Sequence, residues 1–442
     1  MLDDDDLLAH AHRLSREYLD SVAERHVGGS DPAELRRPLS DRGEEAVDVL
    51  EQLAADADPG IVASAGPRYF GFVVGGSLPV ALAADWLVST WDQMCGMYSS
   101  SPAVAVAEEV AAGWVLELLG LPASASVGYV TGAQMANFSC LAAARGELLR
   151  TIGWDADSRG LFGAPPIEVL IGDEVHVTLL RALRYLGLGQ DRVTRVGVDA
   201  NGAIDPVALE GALGAAKRPA LVCAQAGNVN TGACDPLGPI ADLAAAHGAW
   251  LHVDGAFGLW AAASPRFEHL MAGRERAQSW ATDAHKWLNV PYDCALAIVA
   301  QPDALTRAMA LTAAYLAPSG PREPAEFVPE ASRRGRAIPV YAALRFLGRR
   351  GVARLVERCC EHAVLMASLL REGGLEVLNE VVLNQVLVAA TPEHLARVQA
   401  DGTCWLGGTT WRGRHALRVS FSNWSTTEDD VRRAARAILG AA

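Results

Sequence analysis

The chain has 442 residues, of which 50% are hydrophobic and 20% are charged, and its formal net charge at pH 7 is −14. This length exceeds one compact unit, so two or three structural parts around a large core are expected. The acidic balance argues against nucleic acid as a partner, because binding phosphate backbones requires clustered Lys and Arg. No apolar run reaches a membrane-spanning length. The eight scattered cysteines lack zinc spacing and the first residues are acidic, so a cytoplasmic protein with reduced thiols is predicted.

The pattern along the chain predicts three parts. Residues 1–62 are polar and helical in pattern, and they are predicted to form an N-terminal arm, either lying across a partner subunit or extending flexibly. Residues 63–330 alternate β-rich runs with helical stretches, which is typical of a mostly parallel sheet covered on both faces. Residues 331–442 are predicted to form a smaller α+β domain. The clearest strand candidates are residues 127–130, 169–171, 220–224, 250–253 and 295–299.

Two local features follow from turn chemistry. Asp235 precedes Pro236 and an apolar periodic stretch that ends at Gly248, so Asp235 is predicted to cap a helix there. Residues 317–336 are rich in Pro, Gly and charge, and they are predicted to form a long exposed loop.

An aspartate and a lysine follow strand-like runs and form the strongest candidate pair for chemistry. Asp254 ends the run 250–253, and Lys286 follows a short apolar run further along the chain. A lysine considered alone is normally a solvated surface residue. Few reactions require both a reachable amine and a carboxylate at the end of a buried strand, but pyridoxal phosphate (PLP) chemistry does. The amine forms a Schiff base with the aldehyde, and the carboxylate keeps the pyridine nitrogen protonated.

Other candidate residues also lie just past predicted strands. The turn at Ala133 and Gln134 opens a helix, where free backbone N–H groups form an anion site, although an ordinary turn explains it equally. His176 could stack on a planar cofactor, or it could be a packed structural histidine. Thr231 suits a hydroxyl contact to a bound ring, while turn chemistry alone explains its neighbours. Ligands of open α/β sheets bind at this carboxyl edge.

The motifs resemble those of the group II PLP-dependent amino-acid decarboxylases, relatives of the aromatic amino-acid and glutamate decarboxylases. The resemblance covers residues 67–423 and is carried by Gly132–Ala133–Gln134, His176, Asn230–Thr231–Gly232, His252–Val253–Asp254–Gly255–Ala256 and Asp283–Ala284–His285–Lys286–Trp287. It implies a fold-type I α/β architecture with a mostly parallel seven-stranded sheet, a small C-terminal α+β domain and an N-terminal helical arm. It also implies a homodimer with shared active sites.

The resemblance implies a role for each site residue. Lys286 would hold PLP through a Schiff base, Asp254 would pair with the pyridine nitrogen, and His176 would stack on the ring. The remaining cofactor-binding residues would be Ala256 on the opposite face, Thr231 near the ring, and Ala133, Gln134 and His285 at the phosphate. The substrate-binding residues would be Phe72, Tyr98, Phe327 and Arg418, the last at the position of an arginine that meets a substrate carboxylate in some relatives. No metal site is implied.

One departure from the family concerns a tyrosine on a mobile loop, which the partner subunit donates and which protonates the carbon left by carbon dioxide. The corresponding stretch, at about residues 320–332, contains no tyrosine; Pro324 falls near its position and Phe327 is the only aromatic residue. Relatives that lose the phenol can let oxygen react instead. Decarboxylation of an L-amino acid is the leading prediction, and decarboxylation-dependent oxidative deamination to an aldehyde is the alternative. An aminotransferase or a non-catalytic PLP-binding protein are further alternatives.

Overall fold

The computed structural model describes residues 4–217, 219–310 and 322–442. Four helices precede the first strand: α1 (Asp4–Ser21), α2 (Ala46–Ala57), α3 (Pro79–Trp91) and α4 (Pro102–Leu119). Helix α1 packs against α2, with Arg13 paired to Glu51 at 3.1 Å, and the His12 ring meets the edge of Trp86 on α3. The N-terminal helices therefore rest on their own chain.

A seven-stranded sheet forms the centre of the molecule. Its strands are β1 (Ser126–Val130), β2 (Glu168–Gly172), β3 (Thr194–Val196), β4 (Ala220–Gln225), β5 (Trp250–Asp254), β6 (Ser279–Asp283) and β7 (Ala295–Val299). Their spatial order is β1-β7-β6-β5-β4-β2-β3. Neighbouring strands from β3 to β6 pair in parallel, whereas β7 is antiparallel to both β1 and β6. The predicted mostly parallel seven-stranded sheet is confirmed.

Helices cover both faces of this sheet, as expected for strands that are buried on both sides. They are α5 (Ala133–Thr151), α6 (Ala156–Arg159), α7 (Val177–Tyr185), α8 (Pro206–Ala215), α9 (Leu237–His247) and α10 (Pro302–Met309). Helix α5 crosses β5, β6 and β7, and together with α7 and α10 it forms one apolar layer. A second and larger apolar cluster fills the other face and continues into the C-terminal elements.

The C-terminal elements begin with α11 (Ala337–Glu372), which Gly348 interrupts at φ +58°. They continue with β8 (Gln385–Ala389), α12 (Pro392–Asp401), β9 (Gly407–Trp411), β10 (Arg414–Ser420) and α13 (Glu428–Gly440). The three strands form a small antiparallel sheet in the order β8-β10-β9. The exact part boundaries at residues 62 and 330 stay predictions. In the part of the chain that the structure describes, no helix is both apolar and long enough to cross a bilayer.

Asp235 does not cap helix α9, so that prediction is wrong. The helix starts at Leu237, and its N-cap residue is Pro236, which has no side chain able to cap. The Asp235 carboxylate is buried instead, where it accepts the backbone N–H groups of Ile204 at 2.8 Å and Gln225 at 2.6 Å. Burial raises the pKa of Asp235 to about 7. Because these two buried backbone N–H groups require an acceptor, the carboxylate binds them and does not cap the helix.

The prediction of an exposed loop over residues 317–336 is wrong for residues 322–336; residues 317–321 lie outside the described residues. Pro324 is buried and begins a 3-10 turn, Pro324–Phe327. The Glu323 carboxylate accepts the backbone N–H of Tyr98 at 2.7 Å. Arg333 is buried and binds Glu108 of α4 through two hydrogen bonds, at 2.6 and 3.0 Å. These charged residues face buried partners, so the polar composition does not indicate exposure here.

Candidate active site

Asp254 and Lys286 lie at the same edge of the large sheet. Asp254 is the last residue of β5, and Lys286 lies in the turn just after β6. Hydrogen bonds from Gly255 N–H to Ala281 and from Asp283 N–H to Ala256 hold the two strand ends together. Burial raises the pKa of Asp254, while a hydrogen bond from Asn137 and the charge of Lys286 oppose that rise. The charge of the Lys286 amine therefore acts directly on the ionisation of the Asp254 carboxylate.

Lys286 is presented on a rigid turn. Its Nζ lies 2.9 Å from Oδ2 of Asp283, and its side chain retains 19% exposure. Asn289, in the left-handed region at φ +57°, donates its side-chain N–H to the carbonyl of Lys286 at 3.3 Å and to that of Trp287 at 2.8 Å. Gly75 packs so closely against the turn that a Cβ there would lie 1.8 Å from the Lys286 carbonyl oxygen. The amine is thus reachable while its backbone is fixed.

The start of α5 forms the second side of the site. The Ala133 backbone N–H donates to Oδ1 of Asp283 at 2.6 Å, and the Gln134 side-chain oxygen accepts from Arg181 at 3.1 Å. His285 Nδ1 accepts the backbone N–H of Cys294 at 3.1 Å, so its proton is on Nε2, which lies 3.4 Å from Oδ1 of Asp283. A helix start with a ring N–H beside it favours an anion.

His176 is the N-cap residue of α7, at the edge where β2 ends. Its Nδ1 accepts the backbone N–H of Thr178 at 3.3 Å and faces the Thr178 hydroxyl at 2.7 Å, which places the ring proton on Nε2. Burial, together with the charges of Lys286 and Arg418, lowers the pKa of His176 to about 4. The imidazole is therefore neutral near pH 7, and it lies within charge range of both cations.

Arg418, on β10, brings a buried cation to the site. Burial lowers its pKa, and its Nε has no hydrogen-bond partner. Within residues 4–217, 219–310 and 322–442, no carboxylate forms an ion pair with Arg418. Its electrostatic neighbour is Tyr69, whose ring stacks on the Trp405 ring with 5.0 Å between centroids, and the Phe72 ring centroid lies 5.3 Å from that of Trp405. A guanidinium that is shielded from water and has no ion-pair partner is stabilised by binding an anion, and a carboxylate matches its geometry.

The other predicted residues have their own contacts. Thr231 is fully buried; its hydroxyl donates to the Asn201 carbonyl at 2.6 Å. The Ala256 backbone N–H donates to Asp254 at 3.2 Å. Tyr98 is half-buried beside Glu323, whereas the ring of Phe327 packs under Arg322 at 3.8 Å and against the layer that contains α5 and α10. The role of Phe327 in a substrate pocket stays a prediction.

Sequence reasoning missed three residues that shape the site: Asn137, Asp283 and Trp405. Asn137 lies inside α5, where no motif draws attention to it, and Trp405 comes from the distant C-terminal domain. Asp283 is the exception, because it sits three residues before Lys286 and i,i+3 spacing in a turn brings side chains together. That spacing is a signal that could have been used.

The side chains and backbone groups of this site are chemically complementary to the groups of PLP. The reachable amine suits an aldehyde, the buried carboxylate suits a protonated ring nitrogen, and the helix start with His285 suits a phosphate. A family model described as "Pyridoxal-dependent decarboxylase conserved domain" matches residues 32–389. The chain belongs to this family. The predicted cofactor, PLP, and the predicted class of enzyme, an amino-acid decarboxylase, are thereby confirmed.

Individual relatives agree with this assignment. The chain is 31% identical over 386 residues to L-2,4-diaminobutyrate decarboxylase of Rhizobium meliloti (strain 1021), covering 81% of this chain and 74% of that one. It is 28% identical over 429 residues to tryptophan decarboxylase 1 of Oryza sativa subsp. japonica, covering 87% and 82%. Phenylacetaldehyde synthase of Arabidopsis thaliana is 25% identical over 440 residues, covering 91% and 88%. The crystal structure of Oryza sativa TDC with PLP and tryptamine has the same fold, with a TM-score of 0.92 at 24% identity, covering 100% of this chain and 98% of that one.

Proposed function

We propose that this decarboxylase acts on an L-amino acid, with Lys286 as the lysine that binds PLP and Asp254 as the partner of the ring nitrogen. The observation that carries the proposal is the placement of a reachable amine and a buried carboxylate at adjacent strand ends. PLP, when bound, draws electrons from the bond between Cα and the carboxylate, which releases carbon dioxide. Asp254 supports this electron demand by remaining ionised beside a protonated ring nitrogen.

The surrounding residues would bind and orient. His176 is neutral and offers a flat face for stacking, with Ala256 on the opposite side. The phosphate would be held by the N–H groups at Ala133 and Gln134 and by His285, with Thr231 near the ring. The unpaired Arg418 guanidinium would bind the substrate carboxylate, beside the wall of Tyr69, Trp405 and Phe72. Tyr98 is proposed to line the same pocket.

Borohydride labelling tests the role of Lys286 with little ambiguity, because the chain has only two lysines, Lys217 and Lys286. Lys217 is exposed and lies outside the site, before β4. Reduction of the PLP-loaded protein should fix the label on the peptide that contains Lys286, and Lys217→Arg should label as fully as the unmodified chain. Label on Lys217, or labelling that persists in Lys286→Arg, would end the proposal.

We propose that the enzyme is a cytoplasmic homodimer. Large apolar side chains are exposed on α2, on α3 and on the segment after α3, as at many interfaces: Leu53, Trp86, Leu87, Trp91 and Met94. All eight cysteines are free thiols, which suits a reducing compartment. Trp91→Asp should shift the sedimentation coefficient toward a monomer, whereas Phe162→Asp, at an equally apolar but isolated exposed residue, should not. Identical sedimentation of Trp91→Asp and the unmodified chain would contradict this interface.

Oxidative deamination to an aldehyde is a second candidate, favoured by Pro324. Residue 324 lies at the position of the family's proton-donating tyrosine, and here it is buried and held against Gly96, whose carbonyl accepts the N–H of Ala325 at 2.8 Å. Neutral His176 is a weak acid, so protonation at Cα would be slow and oxygen could react instead. An oxygen electrode, run with amine and aldehyde assays on the true substrate, distinguishes the two. Oxygen uptake with aldehyde supports the second candidate, and stoichiometric amine without uptake rules it out.

A further inference from the structure

Behind Asp254, four buried side chains form a continuous hydrogen-bonded chain. The Trp250 indole N–H lies 2.9 Å from Oγ of Ser279, and that Oγ lies 2.9 Å from Nδ1 of His252. Nε2 of His252 lies 2.9 Å from Oδ1 of Asn137, whose Nδ2 lies 3.0 Å from Oδ2 of Asp254. All five residues are at most 5% exposed. We call Trp250, Ser279, His252 and Asn137 the relay.

The strand pattern builds the relay. Trp250, His252 and Asp254 alternate along β5, so their side chains point to one face of the sheet, the face that α5 covers. Ser279, on β6, is the register partner of His252, and Asn137 lies on the first turns of α5 above them. Three secondary-structure elements therefore converge on one carboxylate.

The direction of every hydrogen bond is fixed by the chemistry of its ends. The indole N–H can only donate and an ionised carboxylate can only accept. Asn137 must therefore turn its NH₂ group to Asp254 and its oxygen to His252. His252 donates from Nε2, so its Nδ1 is unprotonated and accepts the Ser279 hydroxyl, which in turn accepts from Trp250. A flip of Asn137 would leave two donors facing each other at His252 and two acceptors at Asp254, and the other His252 tautomer would leave two acceptors facing each other at Asn137.

We propose that Asn137, His252 and Ser279 are positioning residues, and that the relay holds the Asp254 carboxylate ionised and oriented toward the ring nitrogen of PLP. The proposal rests on the role of Asp254 in the proposed function. Each carboxylate oxygen receives one N–H, Oδ2 from Asn137 and Oδ1 from the Ala256 backbone at 3.2 Å. These contacts fix the plane of the carboxylate and leave its remaining lone pairs for the site.

Within residues 4–217, 219–310 and 322–442, the groups that surround the relay do not exchange a proton with it near neutral pH. Burial lowers the pKa of His252 to about 3, so the ring remains neutral. The titratable groups beside it are the thiols of Cys140 on α5 and Cys223 on β4; burial raises the pKa of Cys140 to about 12 and that of Cys223 further. Lys286 and Asp283 act on Asp254 only from the side of the site. The relay therefore keeps a single proton arrangement.

The test measures cofactor binding, not turnover. PLP and an analogue in which a C–H replaces the ring nitrogen share the aldehyde and the phosphate, and they differ only at the atom that Asp254 meets. Asn137→Leu removes the N–H from Asp254 at similar volume and should weaken PLP binding about tenfold or more, the loss expected for a charge-assisted hydrogen bond. Binding of the analogue should be unchanged. Both dissociation constants are read from absorbance titrations.

Ser279→Ala, three hydrogen bonds from Asp254, frees the His252 tautomer and should produce the same selective loss, smaller in size. Ser279→Thr retains the hydroxyl and should restore binding. Ser139→Ala is the matched control, because Ser139 is equally buried on α5 but its hydroxyl bonds only the Met135 carbonyl at 2.9 Å. Equal losses for both cofactors, or no loss in both Asn137→Leu and Ser279→Ala, would overturn the relay. Absence of any PLP binding by the unmodified chain would instead contradict the proposed function.

Discussion

Asp283 places a negative charge where the phosphate is proposed to bind. One of its oxygens pairs with Nζ of Lys286 at 2.9 Å, and the other accepts the Ala133 N–H at the start of α5. A phosphate that approaches this helix start meets the same N–H donors that Asp283 already occupies. Asp283 thus holds the Lys286 side chain in the free protein, and its negative charge repels the phosphate of the cofactor.

Asp283→Asn should therefore favour PLP over pyridoxal, which lacks the phosphate. Two like charges about 4 Å apart repel by about 1 kcal/mol even in water, so the ratio of the two dissociation constants should change by about fivefold or more. Asp303→Asn, an exposed carboxylate on α10, is the control and should change nothing. An unchanged ratio in Asp283→Asn would show that Asp283 turns away from the phosphate when PLP binds.

Site residues that follow strands can be predicted from the sequence, whereas residues that act through other side chains cannot. Lys286, Asp254 and His176 are found because a functional group at the carboxyl end of a strand is a recognisable pattern. Asn137 is one polar residue among apolar neighbours in a helix, and its role exists only because α5 crosses β5. Arg418 and Trp405 reach the site from another domain, which sequence spacing cannot show.

At the scale of elements, the segment around Gly75 supports the turn that carries Lys286. Gly75→Ala would put a Cβ 1.8 Å from the Lys286 carbonyl, so the turn must move and PLP affinity should fall at least tenfold. Gly113→Ala on α4 is the matched control, since a Cβ there meets nothing within 4 Å and the change should be neutral or slightly stabilising. If absorbance titration gave the same PLP affinity for Gly75→Ala as for the unmodified chain, then the segment around residue 75 moves to accommodate the added Cβ, and the turn that carries Lys286 does not.

Helix α4 and the segment that begins at residue 322 are joined by a buried ion pair. Glu108 receives both N–H groups of Arg333 and lies 3.9 Å from Arg322, with all three side chains largely buried. Glu108→Gln leaves two buried guanidinium groups without an anion, so it should lower the free energy of unfolding by about 3–5 kcal/mol.

Glu117→Gln, on the same helix, is the control for this ion pair. Glu117 pairs with Arg349 where both side chains are more than half exposed, so its loss should cost no more than about 1 kcal/mol. Urea unfolding of both variants gives the comparison. Equal small losses would mean that water reaches Arg333 in the folded protein.

Apolar runs located the five strands that consist mainly of apolar residues, whereas β3 and β6 were not among the strand candidates, although Lys286 was seen to follow a short apolar run. Strand β6 contains Ser279, Thr282 and Asp283, and all its residues are buried. Ser279 is bonded to Trp250 and His252, and Asp283 is bonded to Ala133 and Lys286, whereas the Thr282 hydroxyl has no hydrogen-bond partner among the described residues. Polar residues that are satisfied by distant partners look like a loop in sequence, and the same reason made residues 322–336 look exposed.

At the scale of the whole molecule, two neutral histidines, the fully buried His252 and the partly buried His176, predict sensitivity to acid. Burial lowers the pKa of His176 to about 4 and that of His252 to about 3, whereas an unfolded histidine titrates near 6.5. As pH falls below about 6.5, these histidines bind protons in the unfolded chain but not in the folded chain. The free energy of unfolding therefore decreases from pH 6.5 toward pH 4, by a few kcal/mol for the two groups together.

Replacing either histidine should flatten this decline. His176→Asn and His252→Asn each remove one group that binds a proton only in the unfolded chain. The drop in thermal midpoint between pH 7 and pH 5 should therefore be smaller than in the unmodified chain, even where the variant is less stable at pH 7. His415→Asn, at an exposed position on β10, should leave the drop unchanged. The quantity to compare is the difference between the two midpoints within each protein, because it cancels the packing cost of the substitution. An undiminished drop in both buried variants would mean that acid unfolding is governed by the carboxylates and not by these rings.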